Sequence, residues 1–128
     1  MKTILVDAVD TFVIENEGIS EEMHDLLETF PNRKIIVTNA DDAQMIEFGL
    51  VNMPYEVFTL KHNPDKTHPV YFERMLEHFS LTSDDVIYFE HNPDAVKSAE
   101  LVGILSYRYD PEKKDMHALR DFLEKHSV

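Results

Sequence analysis

Apolar runs of strand length alternate along this chain with segments whose apolar residues recur at helical spacing, and that alternation most constrains how it can fold. Parallel strands need a long crossover, which a helix supplies, so the repeat points to βαβ units around one parallel sheet. Thr3 to Val6 is the first run. Ser20 can cap a helix with Met23, Leu26, Leu27 and Phe30 at i, i+3, i+4 and i+7, which Pro31 and Asn32 end. Ile35-Ile36-Val37 is β-branched and reads as a second strand. Asp41 to Phe48 is a short helix with Gly49 beyond its end. Val57 to Leu60 is a third strand, and Pro69 opens a helix with Phe72, Met75, Leu76 and Phe79 on one face. Val86 to Phe89 is a fourth strand, followed by a helix that Asn92-Pro93 caps and Gly103 closes. Ile104 to Tyr107 is a fifth, after which Asp110-Pro111 repeats the cap-and-proline device before a helix carrying Leu119, Phe122 and Leu123. Phe30, Phe72, Phe79 and Phe122 are expected in the core. Five strands and five helices predict one α/β domain over residues 1–128, three-layered and doubly wound on a central parallel five-stranded sheet.

Composition narrows the function. A length of 128 residues suits one domain, and 43% hydrophobic with 29% charged residues excludes a disordered chain. No apolar stretch approaches the ~20 residues that a membrane span requires. The opening segment is hydrophobic only over Ile4-Leu5-Val6 before Asp7, too short for a signal-peptide core, so the cytoplasm is the expected location. Twelve basic against 25 acidic residues give a net charge of −13. That field repels phosphate backbones and anionic bilayers, so neither nucleic acid nor membrane is an expected partner. It also requires a lysine or a metal to correct the local potential for any anionic substrate. Cysteine is absent, which removes disulfides, thiolate catalysis and Cys-based zinc sites.

Ligands of doubly wound sheets bind beyond the carboxyl ends of the strands. Those positions carry Asp7, Thr38-Asn39, the Lys61 to Lys66 loop and Glu90-His91-Asn92. An acid after the first strand, a hydroxyl after the second, a lysine after the third and an acid after the fourth resemble the haloacid dehalogenase-like superfamily over nearly the whole chain. That family's first motif, Asp-x-Asp-x-Thr after an apolar strand, corresponds here to Asp7-Ala8-Val9-Asp10-Thr11, with Val9 where the second aspartate belongs. The second motif corresponds to Ile35-Ile36-Val37-Thr38-Asn39. Lys66, with Pro69 and Phe72 at +3 and +6, matches the third, and Lys61 is a weaker candidate. Counting back from Gly103 places His91 and Ala95 at the usual acid positions of the fourth motif, leaving Glu90 as the acid beside the strand end and Asp94 one residue out of place.

The resemblance implies an aspartyl-phosphate mechanism with Asp7 as nucleophile, and Thr38 and Lys66 steadying the phosphoryl oxygens. It also implies Thr11 and Asn39 on the substrate side, and Mg²⁺ held by Asp7, the Val9 carbonyl and Glu90. The expected substrate is a phosphorylated small molecule or protein. Val9 can lend a carbonyl to a metal but cannot move a proton, and losing a general acid/base costs ~10²–10⁴ in rate. His91 is a poor Mg²⁺ ligand. Two functions follow: a phosphatase-type enzyme with weak or lost turnover, or a pseudoenzyme that binds a protein, an anion or a metal. The short stretch from Asp7 to Ser20, with no insertion after Thr38, predicts a capless domain. That disfavours the dehalogenase branch suggested by Asp7-Ala8-Val9. It also suggests closure by self-association or a protein partner. A receiver-like module is the alternative fold, but it would need paired acids near the N-terminus and a phosphoaspartate after the third strand.

Several residues read both ways. Asp10 could replace the missing acid/base, although an exposed loop acid is the simpler reading. His62, His68 and His91 fall in strand-end loops, where imidazoles suit transition metals. No ligand spacing supports such a cluster. His24, His78, His117 and His126 read as surface residues on helices, and Tyr107-Arg108-Tyr109 as cover for a sheet edge or helix end.

Overall fold

The structure is a computed structural model that describes residues 1–128. Its elements are β1 (Thr3–Asp7), β2 (Val13–Ile14), β3 (Gly18–Ile19), α1 (Glu21–Glu28), β4 (Lys34–Thr38), α2 (Asp42–Glu47), β5 (Glu56–Thr59), α3 (Pro69–His78), β6 (Val86–Glu90), α4 (Pro93–Leu101), β7 (Leu105–Arg108) and α5 (Met116–His126). A 3-10 turn, Ser83–Asp85, leads into β6. Five strands form one parallel sheet in the order β5-β4-β1-β6-β7. β1 therefore lies in the middle, between the strands that lead to Thr38 and Glu90.

Every residue of β1, β4 and β6 is buried, whereas β5 and β7 are partly exposed. Helices cover both faces of the central strands, which is why those strands are continuous apolar runs rather than alternating ones. One face packs Ile4, Val6, Ile36, Ile87 and Phe89 against Met23, Leu26 and Leu27 of α1 and Leu119 and Leu123 of α5. The other packs Leu5, Ile35, Val37 and Tyr88 against Tyr71, Phe72, Met75 and Leu76 of α3 and Ala99 of α4. The result is the predicted three-layer doubly wound domain.

Ser20, Asp41 and Asn92 cap α1, α2 and α4 through their side chains; the sequence predicts the caps at Ser20 and Asn92, whereas Asp41 stands just before the helix it is expected to begin. Pro69 and Pro93 occupy the first turns of α3 and α4. The last helix departs from expectation. Asp115, not Asp110, caps α5, and residues 111–113 form a turn. Asp110 instead accepts the Glu112 amide at 2.9 Å, and Lys114 adopts a positive φ of 48° that no helix tolerates. An Asx-Pro pair starts turns as readily as helices, which explains the misreading.

Between β1 and α1 the chain makes an unexpected antiparallel hairpin, β2 with β3. Two-residue strands are too short to show a period. Phe30 lies beyond the end of α1 but is buried, as is Phe72, while Phe79 and Phe122 are only half-buried. Phe122 stacks on Tyr107 at 5.2 Å, so that pair covers the margin of the sheet. No helix is long and apolar enough to cross a membrane.

Candidate active site

The register of the sheet brings the candidate residues together. Asp7 pairs with Val37 across β1 and β4, and Val6 pairs with Phe89 across β1 and β6. Asp7, Thr38 and Glu90 thus end three adjacent strands side by side. Asp7 shares the parity of Leu5, so its carboxylate lies on the α3/α4 side of the sheet. Lys66 enters from the loop before α3, where its amide donates to the Asn39 side-chain carbonyl at 2.7 Å.

At the centre two carboxylates and two basic side chains interlock. Asp7, Glu90 and Lys66 are 2%, 1% and 6% exposed, and charges so deep persist only when paired. Lys66 Nζ lies 2.6 Å from Asp7 Oδ1 and 2.7 Å from Glu90 Oε1, and it also reaches the Val37 carbonyl at 3.3 Å. Thr11 donates its hydroxyl to Asp7 Oδ2 at 2.7 Å. His91 Nδ1 contacts the same oxygen and lies 3.2 Å from Glu90 Oε2. Tyr88 donates to Glu90 Oε1, and the Asn92 amide donates to Glu90 Oε2 at 3.1 Å.

Burial by itself would raise the Asp7 pKa, but the Lys66 ammonium and the His91 hydrogen bond reverse that and hold it well below the usual carboxylate range. Burial would likewise lower the Lys66 pKa, yet Asp7 and Glu90 hold it above its ordinary value. Hydrogen bonds to Asp7 and then to Glu90 push His91 up to about 10. Near neutral pH, Asp7 is therefore an anion flanked by two cations.

A cleft of about 210 Å³ opens over this cluster. It is lined by Asp7, Val9, Thr38, Asn39, Lys66, Glu90, His91 and Ala95, so all but one of the expected site residues meet in one place. The exception is Thr11, which is buried behind Asp7 and holds its carboxylate without lining the cleft. Among the weaker candidates, Lys61 is exposed and paired with Asp42 at 3.0 Å. Asp10 is exposed with a φ of 71°, and its carboxylate is 3.7 Å from His91 Nε2 rather than in the cleft. His62 joins the rim, bonded to Gln44 at 2.6 Å and Asp65 at 2.8 Å, whereas His68 caps α3. Asp94 is exposed in the first turn of α4.

Two tyrosines escape the sequence reading. The Tyr71 hydroxyl accepts the Thr38 amide at 3.1 Å and lies 2.9 Å from the Thr38 carbonyl, so α3 fixes the end of β4. Tyr88 was readable as a strand residue two before Glu90 and hence on its face, but only the fold shows that its hydroxyl binds that acid.

Of the expected magnesium set, Asp7 and Glu90 lie together and Val9 lines the same cleft, but the His91 ring stands against both acids. Mg²⁺ favours an octahedron of hard oxygens. Here His91 Nδ1, Asp7 and Glu90 crowd one volume, their ligand atoms within 4.8 Å of one another, and Ala95 supplies no donor. One imidazole and two carboxylates already bound to Lys66 do not fit it.

The fold and cleft define a doubly wound α/β domain with a carboxylate–lysine–threonine site at its strand ends. No family model matches the sequence, and no curated protein matches it. Solved structures do match. A haloacid dehalogenase family enzyme, BT-2542 of Bacteroides thetaiotaomicron in complex with magnesium, superposes with a TM-score of 0.69 at 11% identity, over 94% of this chain and 98% of that one. A haloacid dehalogenase-like protein of unknown function from Agrobacterium tumefaciens gives 0.56 at 18% identity, over 70% and 44%. The UTR4 protein of Saccharomyces cerevisiae gives 0.57 at 18% identity, over 73% and 48%. This chain spans about half the length of the last two. The fold is haloacid dehalogenase-like.

Proposed function

We propose that this chain is a phosphatase-type domain that keeps the nucleophile Asp7 but has weak or lost phosphohydrolase turnover. The observation that carries this reading is the cleft floor, where an ionised Asp7 is held by Lys66 beside Thr38 while the only side chain at the acid/base position is Val9. An Asp7 oxygen would attack phosphorus, the bond to the leaving oxygen would break, and that oxygen would depart with the electron pair. Lys66 and Thr38 would balance charge on the phosphoryl oxygens. The departing oxygen must take its proton from water, because Val9 has none to give. A water molecule would then attack the aspartyl-phosphate without a base to activate it.

Phosphorylated small molecules or proteins are the substrate class that this cleft and the phosphatase-like fold support. The Bacteroides enzyme was solved with magnesium, but the donor set here argues against routing a step through that ion. One observation favours a second reading, a pseudoenzyme acting as a protein- or anion-binding module. Both Asp7 oxygens are occupied, Oδ1 by Lys66 and Oδ2 by Thr11 and His91, so the nucleophile is caged. The open cleft leaves room for a second copy or a protein partner to complete it.

Hydrolysis of p-nitrophenyl phosphate by wild type, Asp7→Asn and Val9→Asp separates the two. The phosphatase reading expects slow wild-type turnover, abolished in Asp7→Asn and raised about 10²–10⁴-fold in Val9→Asp. Silence in all three, with phosphate binding intact, supports the module instead.

A further inference from the structure

We propose that the His91 ring fills the place between Asp7 and Glu90 where a divalent ion would be held, so the domain takes no Mg²⁺ there. The inference concerns the same cleft but not its turnover, and it holds whether the site is a slow enzyme or a binding module.

The four carboxylate oxygens of Asp7 and Glu90 are shared between two side chains, Lys66 and His91. Lys66 Nζ takes Asp7 Oδ1 at 2.6 Å and Glu90 Oε1 at 2.7 Å. His91 Nδ1 takes the other two, touching Asp7 Oδ2 and lying 3.2 Å from Glu90 Oε2. A divalent ion held by the two acids would compete with the His91 ring for their oxygens. The ring also meets a carboxylate at its far end, with Nε2 3.7 Å from Asp10 Oδ2.

The main chain keeps the ring in place. Arg108 Nε donates to the His91 carbonyl at 3.0 Å, the His91 amide donates to Asp7 Oδ2 at 3.4 Å, and Asn92-Pro93 begins α4 immediately afterwards. Within this cluster the buried carboxylates of Asp7 and Glu90 are matched by Lys66 and His91. An added Mg²⁺ would have to displace the His91 ring from both acids or accept its nitrogen as a ligand, and a hard cation that favours oxygen donors gains little from imidazole.

Titration calorimetry with MgCl₂ and melting curves with and without Mg²⁺ test the proposal on wild type, His91→Asp and His91→Asn. Wild type is expected to show no saturable Mg²⁺ heat and no Mg²⁺-dependent change in Tm. His91→Asp, which substitutes an oxygen donor for the imidazole, is expected to bind one Mg²⁺ per chain and to melt higher with it. His91→Asn, neutral and similar in shape, serves if the added carboxylate prevents folding, and its Tm is expected to rise with Mg²⁺. One-to-one Mg²⁺ binding by wild type that Asp7→Asn abolishes would overturn the proposal, and so would a folded His91→Asp that binds none. Neither measurement depends on hydrolysis.

Discussion

Lys66 is the residue on which the buried site depends. Its ammonium separates two carboxylates that lie almost wholly out of water, and no buried polar side-chain atom of the protein lacks a partner. Lys66→Met would preserve length and bulk but leave Asp7 and Glu90 facing one another with a single imidazolium between them. Breaking a buried pair in this way is expected to cost about 3–5 kcal/mol. Urea unfolding at neutral pH measures the loss, which should shrink as the pH falls and one carboxylate takes up a proton. The lysine was legible in the sequence because Pro69 and Phe72 follow it at a set spacing. That it neutralises two acids at once was not, since Glu90 stands 24 positions away and only the sheet brings it near.

Among the elements, α5 shows where local pattern misleads. Asp110-Pro111 carries the stronger start signal, yet the positive φ of Lys114 breaks the chain direction, and Asp115 accepts the Ala118 amide at 2.9 Å. Asp115→Ala is expected to cost about 1 kcal/mol through the lost cap. A lower urea midpoint with an unchanged slope would confirm that the cost falls on stability alone. The caps of α1 and α4 were readable because a capping side chain acts on amides two or three residues away, well within a sequence window. The β2–β3 hairpin was not, because its pairing has only two residues on each side and depends on Ala8 accepting the Phe12 and Val13 amides at 2.8 and 2.9 Å.

For the whole molecule, the site ties stability to pH. His91 is held at about 10 against an ordinary 6.5, so its stabilising protonation is complete below pH 6.5 and is lost as the pH rises towards 10. Asp7 is held below its ordinary 3.8, so its contribution is present above that value and is lost as the pH falls further. Both contributions coexist between about pH 4 and 6.5. Stability should therefore decline from pH 6.5 to 10, and the decline should be shallower in His91→Gln. Thermal melts across that range, comparing the two proteins, check it. The comparison matters because a net charge of −13 adds a self-repulsion common to both.

Period, capping and strand-end chemistry are local properties, and from them the sequence by itself determined the layer architecture, the succession of the five sheet strands and their helices, and the identities of Asp7, Thr38, Lys66 and Glu90 as candidates. Only the tertiary structure decided what those residues do to one another. Thr11 stands behind the nucleophile instead of in the cleft, Tyr71 and Tyr88 fasten the site from the α3 side, and His91 lies between two carboxylates. Each of those facts depends on side chains brought together from separate strands and loops. A sequence records spacing along the chain, whereas electrostatics and hydrogen bonding act over a few ångströms across it.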